Sequence, residues 1–176
     1  LPGDLDQWER VARMIRVDHA GEYGAKRIYD GQLAVLGAGT PMAAKIRHMA
    51  AQERRHLDVF DGLVTRRRVR PTLLHPIWHV AGFALGAATA LMGEKAAMAC
   101  TVAVEETIDE HYAKQAEQLG DDEAELRTTI EKFRAEEIAH KDEALASGAE
   151  EAAGYRPLTA AIKAGSKLAI WLSSRV

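Results

Sequence analysis

Cysteine is almost absent from this chain. Cys100 is the one thiol in 176 residues, so no intrachain disulfide can form, and no cysteine-ligated zinc finger or iron–sulfur cluster can be built. A reducing compartment is compatible with that count. Aromatic residues make up 6% of the chain and proline occurs five times. Abundant alanine with so few aromatics favours closely packed helices over a β-sandwich. The net charge of −3 gives no overall nucleic-acid footprint. Residues 72–93 contain no Asp, Glu, Lys or Arg, and they follow a basic run at Arg66, Arg67, Arg68 and Arg70.

What is present is helical periodicity, interrupted by short Gly and Pro clusters. Asp4 or Asp6 is placed to cap a first helix carrying Trp8, Val11, Met14 and Ile15 and running to about Leu36. After Gly37 and Gly39, Thr40 caps a second helix with Pro41 at its first position. This helix ends near the arginine run. A third segment covers 72–93, and a fourth begins near Glu94 and runs to Leu119. Gly120 closes it, and Asp121 or Asp122 is expected to cap a fifth helix ending near Ala146. A short last helix covers about 156–174. The reading is a single domain over 1–176, with helical hairpins at about 5–66 and 94–147.

The chemistry lies in a pattern that occurs twice. Glu22 precedes Glu53-x-x-His56 by 31 residues, and Glu105 precedes Glu137-x-x-His140 by 32. Positions i and i+3 share a helix face, so each Glu-x-x-His sets a carboxylate beside an imidazole. A lone Glu on one helix and Glu-x-x-His on the next, given twice, is the ligand set of a di-iron or di-manganese four-helix bundle. Four carboxylates balance two divalent cations, which keeps a buried site near neutral. Oxygen and imidazole donors suit iron or manganese, and two histidines leave positions open for dioxygen. Glu53 and Glu137 are assigned as bridging, and Glu22 and Glu105 as terminal, each near one histidine.

Neighbouring polar residues have less defined roles. Glu106 and Glu136 adjoin ligand positions, but Glu137 has the histidine at i+3. His19 is read as a supporting residue rather than a ligand. Asp109, His111 and Tyr112 either orient ligands and relay protons or electrons, or stand solvated. His48, His75 and His79 are taken as non-ligands, and Cys100 as a small core residue.

Residues 72–93 are long enough to cross a bilayer. A single crossing would separate Glu22 and Glu53 from Glu105 and Glu137, which the metal pattern forbids. A crossover helix on the bundle or one lying in a membrane interface remains. The arginines before it suit anionic head groups, and the last helix, with Trp171, is expected to extend the same surface.

At 17–25, Val-Asp-His-Ala-Gly-Glu-Tyr-Gly-Ala, the chain closely resembles the demethoxyubiquinone hydroxylase family of ubiquinone biosynthesis. The likeness continues through Gly82-Phe-Ala-Leu-Gly-Ala87, Met98-Ala-Cys-Thr-Val-Ala-Val-Glu-Glu106 and Phe133-Arg-Ala-Glu-Glu137. The resemblance implies an all-α, ferritin-like four-helix bundle with two additional, partly membrane-facing helices. It also implies a di-iron monooxygenase that uses O2 to hydroxylate a polyprenyl methoxy-methyl-benzoquinone. Its ligands carry over to Glu22, Glu53, His56, Glu105, Glu137 and His140. NADH as electron donor, a lipid-binding partner protein and peripheral attachment to the membrane where ubiquinone is made are further implications. That membrane is the bacterial inner membrane on its cytoplasmic face, or the mitochondrial inner membrane on its matrix side. The chain has no G-x-G-x-x-G, so a nicotinamide cofactor would dock on a non-Rossmann surface. The alternative is a ferritin-like iron-oxidising and storage protein, against which the uncharged third segment argues. A soluble dimetal enzyme such as a manganese catalase is a further rival. No nucleic-acid partner is expected, and an oligomer is compatible.

Overall fold

The structure, a computed structural model, describes residues 6–176. Among them are six α-helices and no strands: α1 (Gln7–Leu36), α2 (Pro41–Arg66), α3 (His75–Leu91), α4 (Glu94–Gln118), α5 (Ala124–Ala146) and α6 (Tyr155–Ser173). Single 3-10 turns precede α5 and α6. The all-α bundle expected from the sequence is what folds. None of these helices is long and apolar enough to cross a membrane.

Local chemistry sets most of the boundaries. Asp6 caps α1 through a capping box: its carboxylate accepts from Glu9 N at 2.7 Å, and Glu9 accepts from Asp6 N at 3.1 Å. Asp4, the other candidate, lies outside the described residues. Thr40 caps α2 by accepting from Ala43 N at 3.0 Å, with Pro41 behind it. The third helix starts later than expected, at His75, because Pro76 fits only in a first helical turn. The expected cap on α5 is not made. Asp121 and Asp122 belong to the 3-10 turn 121–123, and Glu123 precedes α5 without a side-chain cap. Their carboxylates are engaged elsewhere: Asp121 pairs with Arg127 at 3.2 Å, and Asp122 accepts from Gln7.

Helices α1 and α2 form one hairpin, α4 and α5 the other, and α3 lies along α1. The α1–α3 crossing is unusually close. A methyl group at Gly86 would overlap the Ile28 carbonyl, and one at Gly31 would overlap the Phe83 carbonyl. One at Gly82 would stand 2.9 Å from the Gly24 carbonyl oxygen. Glycine is required here for approach, not for backbone conformation.

Helix α4 is the centre of the molecule. Ten consecutive residues, 96–105, are buried, as expected of a helix with neighbours on every side. Its alanines let those neighbours close in. Apolar packing then divides around the middle of the bundle. Tyr29, Ile46, Met49, Met98 and Val102 form one cluster, and Ile15, Phe60, Leu126, Ile130 and Phe133 form another. On α1, α2, α4 and α5 the buried glutamates and histidines lie between them in sequence.

Candidate metal centre

All six expected residues are buried and converge. Donor atoms of Glu22, Glu53, His56 and Glu137 lie within 4.8 Å of one another, and so do those of Glu53, Glu105, Glu137 and His140. Glu53 and Glu137 belong to both groups. Glu22 with His56 completes one group and Glu105 with His140 the other. Both histidines turn Nδ1 inward. His56 Nδ1 is 3.0 Å from Glu137 and 3.4 Å from Glu22; His140 Nδ1 is 3.1 Å from Glu137 and 3.2 Å from Glu53.

So many acidic oxygens do not gather in a protein interior without compensation. Both oxygens of Glu53, Oε2 of Glu22 and Glu105, Oε1 of Glu137 and Nδ1 of His56 are buried without a hydrogen-bond partner. These unsatisfied atoms all belong to the two groups and are donors of the type a divalent iron or manganese takes. The arrangement can hold a metal pair.

The electrostatics carry the same strain. Burial pushes the carboxyl groups of Glu53 and Glu105 well above the ordinary range, and the neighbouring carboxylates add to it, Glu137 foremost. Burial also raises Glu22. Burial would raise Glu137 too, but the His140 and His56 imidazoles set against it bring it down to about 2. His56, which burial alone would lower, is raised to about 10 by Glu137 and Glu22. The raised carboxyls contribute stability that is fully present below their ordinary pKa and is lost as pH rises through the folded values. His56 contributes in the same direction, while Glu137 loses its contribution only towards pH 2. Protein stripped by a chelator is therefore expected to melt lower at about pH 8.5 than at about pH 5.5. Adding Fe(II) or Mn(II) should remove most of that difference in thermal melts.

Four side chains surround the six, and each reaches across from the opposite half. Tyr29 O–H donates to Glu105 at 2.7 Å, and Tyr112 O–H donates to Glu22. His56 Nε2 meets Glu136 at 2.9 Å, and His140 Nε2 meets Gln52 Oε1 at 2.9 Å. Burial and the adjacent carboxylates push both tyrosines well above the ordinary phenol range, so they remain O–H donors. The sequence reading left Tyr112 open and passed over Tyr29, Gln52 and this role of Glu136. A signal for them existed. Tyr29 follows Glu22 by seven residues and Tyr112 follows Glu105 by seven, while Gln52 and Glu136 each immediately precede the Glu of a Glu-x-x-His.

The remaining candidates are accounted for. Glu106 pairs with Lys163, and Asp109 accepts from Arg134 at 2.5 Å. His111 meets Asp18 at 3.0 Å, and Gln115 donates to Asp18 at 2.8 Å. His19 is buried but turns to Asp61 at 2.8 Å and to His75 at 3.3 Å, so it supports α1 against α2 and α3. His48 and His79 are exposed. Cys100 is buried in the core, and burial raises its thiol to about 12.

A cavity of about 570 Å³ lies between α1, α3, α4 and α6. Val17, Ile28, Leu85, Ile108, Ile162 and Ile170 give it an apolar lining. Ala25 and Ile108, three residues after Glu22 and Glu105, also line it, so the cavity flanks the two helices that carry the terminal carboxylates.

Residues 9–173 match the family model described as ubiquinone biosynthesis protein COQ7. The chain is 60% identical to the 3-demethoxyubiquinol 3-hydroxylase of Rhodospirillum rubrum, over all of this chain and 83% of that protein. It is 52% identical to the human mitochondrial NADPH-dependent 3-demethoxyubiquinone 3-hydroxylase, over 98% of this chain and 82% of the relative. Identity to the mitochondrial 5-demethoxyubiquinone hydroxylase of Saccharomyces cerevisiae is 39%, over 93% and 77%. With a match of that extent and a carboxylate–histidine centre at the heart of the bundle, the chain belongs to the COQ7 family of ubiquinone biosynthesis proteins.

Proposed function

We propose that this chain is a di-iron monooxygenase that hydroxylates the ring of a polyprenyl demethoxyubiquinone, with Glu22, Glu53, His56, Glu105, Glu137 and His140 holding two irons. The observation that carries the reading is the apolar cavity lined by α1 and α4, the two helices that carry Glu22 and Glu105. A storage bundle has no use for such a cavity, and the relatives' names speak for a hydroxylase rather than for the iron-storage alternative. When bound, the iron pair would supply electrons to dioxygen and deliver one of its oxygen atoms to the ring. The chain's own residues do the rest. Apolar side chains of α1, α3, α4 and α6 exclude water and align the prenylated ring with the metals. Tyr29 and Tyr112 keep the terminal carboxylates oriented through their O–H groups. The reductant is a nicotinamide nucleotide, as the human relative's name, an NADPH-dependent hydroxylase, indicates for that protein.

Peripheral membrane attachment is the second part of the proposal. Leu73, Val80 and Leu91 are 73%, 66% and 76% exposed, and Leu168 and Trp171 of α6 are also exposed. Trp78 Nε1 donates to Ser173 Oγ at 3.0 Å and ties α3 to α6 at one edge of the cavity. A quinone tail drawn from a bilayer would enter between these helices, with Arg66, Arg68 and Arg70 towards the head groups. A lipid-binding partner protein would dock on this same side.

Two measurements test the reading. With Fe(II), NADH and a short-tailed demethoxy-quinone under isotopically heavy dioxygen, the product should gain one heavy oxygen. Product of unchanged mass, with iron consumed catalytically, would return the storage reading. Gly165 lines the cavity, and a Cβ there meets nothing within 4 Å. Gly165→Leu is expected to raise the quinone KM roughly tenfold by occupying that space, while iron content stays unchanged. For attachment, Val80→Glu should reduce cosedimentation with anionic vesicles and leave the fold intact. Equal sedimentation of both proteins would remove α3 from the interface.

A further inference from the structure

Two sets of contacts around the metal centre repeat from one half of the molecule to the other, and one of the two differs in its chemistry. Each terminal carboxylate accepts from a tyrosine of the opposite half: Tyr29 to Glu105 and Tyr112 to Glu22. Each inward-facing histidine has its Nε2 braced by the residue preceding the other half's Glu-x-x-His. The distances at those braces are equal, 2.9 Å in both. Their chemistry differs. His56 meets the carboxylate of Glu136, whereas His140 meets the amide oxygen of Gln52.

We propose that this pair of braces makes the two metal positions electronically unequal, with Glu136 rendering the His56 position the more electron-rich. The inference rests on reading the six residues as ligands. With Nδ1 of each histidine given to a metal, Nε2 is the nitrogen that carries the hydrogen and donates outward. A carboxylate accepting that hydrogen bond gives the imidazole partial imidazolate character and raises its basicity towards the metal. An amide oxygen accepts the same bond with no net charge and does so less. Glu136 is positioned to act in this way: its side chain is only 24% exposed, so solvent screens it incompletely. Phe133, one turn earlier on α5, stacks on the His56 ring with centroids 3.9 Å apart and fixes its plane. His140 has instead an edge contact with Tyr29 at 6.4 Å. Glu136 and Gln52 are thus positioning residues that act through the histidines. Their effect is to make one metal the readier electron donor, which sets an order for the two one-electron losses of the pair.

The test uses Mössbauer spectra of the full chain loaded anaerobically with Fe(II)-57, with iron counted in the same samples. Wild-type protein should hold two irons and give two quadrupole doublets of equal area. Glu136→Gln makes both braces amides, and Gln52→Glu makes both carboxylates. Each single variant should draw the doublets together, though the two substitutions change charge in opposite directions. The double variant exchanging the two side chains should separate them again. A merely structural role would not produce convergence in both single variants and its reversal in the exchange. Doublets that stay as far apart in either single variant as in wild type overturn the proposal, as does a single wild-type doublet. Should Glu136→Gln fail to retain two irons, the Gln52→Glu arm decides alone. Wild-type protein that binds no iron pair would remove the ligand assignment itself, and this inference with it.

Discussion

Glu53→Gln is expected to abolish metal binding and turnover while making the metal-stripped protein more stable than the stripped wild type. Both Glu53 oxygens are buried without a donor, and its carboxyl is held well above the ordinary range by burial and by Glu137, Glu22 and Glu105. An amide keeps the shape and, at pH values that ionise the cluster, removes one of its four buried charges. A relief on the order of 1–3 kcal/mol follows, which is the scale of an unsatisfied buried polar group. Glu137→Gln should lose metal and turnover equally but shift stability the other way. Glu137 lies against both imidazoles, at 3.0 Å from His56 and 3.1 Å from His140, and they hold its carboxyl down. Its loss strands those histidines. Thermal melts with and without chelator, with iron counted per chain, separate the two variants. Stripped Glu53→Gln melting below stripped wild type would show that the four-carboxylate cluster is not a source of strain. Normal hydroxylation by either variant would show that the ligand map is wrong.

Gly86→Ala is expected to be among the most destabilising single-methyl additions in the chain. The new methyl would overlap the Ile28 carbonyl, which is main chain of α1 and cannot rotate away. Helix α3 must then move from α1, and the nearby Gly31–Phe83 and Gly82–Gly24 approaches open with it. Overpacking of this kind costs about 3 kcal/mol, and a chain of this size loses roughly 2–4 °C of melting temperature per kcal/mol. A fall on the order of 10 °C is the expected result. Gly165→Ala is the control, because its Cβ position is open. Equal melting temperatures for Gly86→Ala and wild type would mean that α3 is free to slide on α1. Since α1 and α3 both line the cavity, Gly86→Ala should also weaken quinone binding in the fraction that folds.

How much of this was legible in the chain differs from one element to the next. The six candidate ligands were legible because metal coordination demands charged side chains at fixed helical spacing, and nothing else in the chain repeats Glu with Glu-x-x-His. Thr40 with Pro41, and Asp6 with Glu9, were legible as caps because capping is a local reaction of side chain with main chain. The cap expected at Asp121 or Asp122 failed for the complementary reason. Gln7, distant in sequence, engages Asp122, Arg127 engages Asp121, and a 3-10 turn stands where the cap was expected. His19 looked like a possible neighbour of the metals, three residues before Glu22, yet Asp61 and His75 draw it away.

The sequence by itself determined the helical class, the two hairpins, the six candidate donors and the exclusion of a membrane-spanning third helix. Each follows from a repeat or spacing within one or two helices, which the 3.6-residue turn converts directly into shared faces. Only the tertiary structure decided which tyrosine orients which glutamate, and that a carboxylate braces one histidine and an amide the other. It also decided that α3 presses on α1 closely enough to require glycine and leaves a cavity along the helices that carry Glu22 and Glu105. Those depend on how helices far apart in the chain rotate and approach, and that is set by the packing of all of them together.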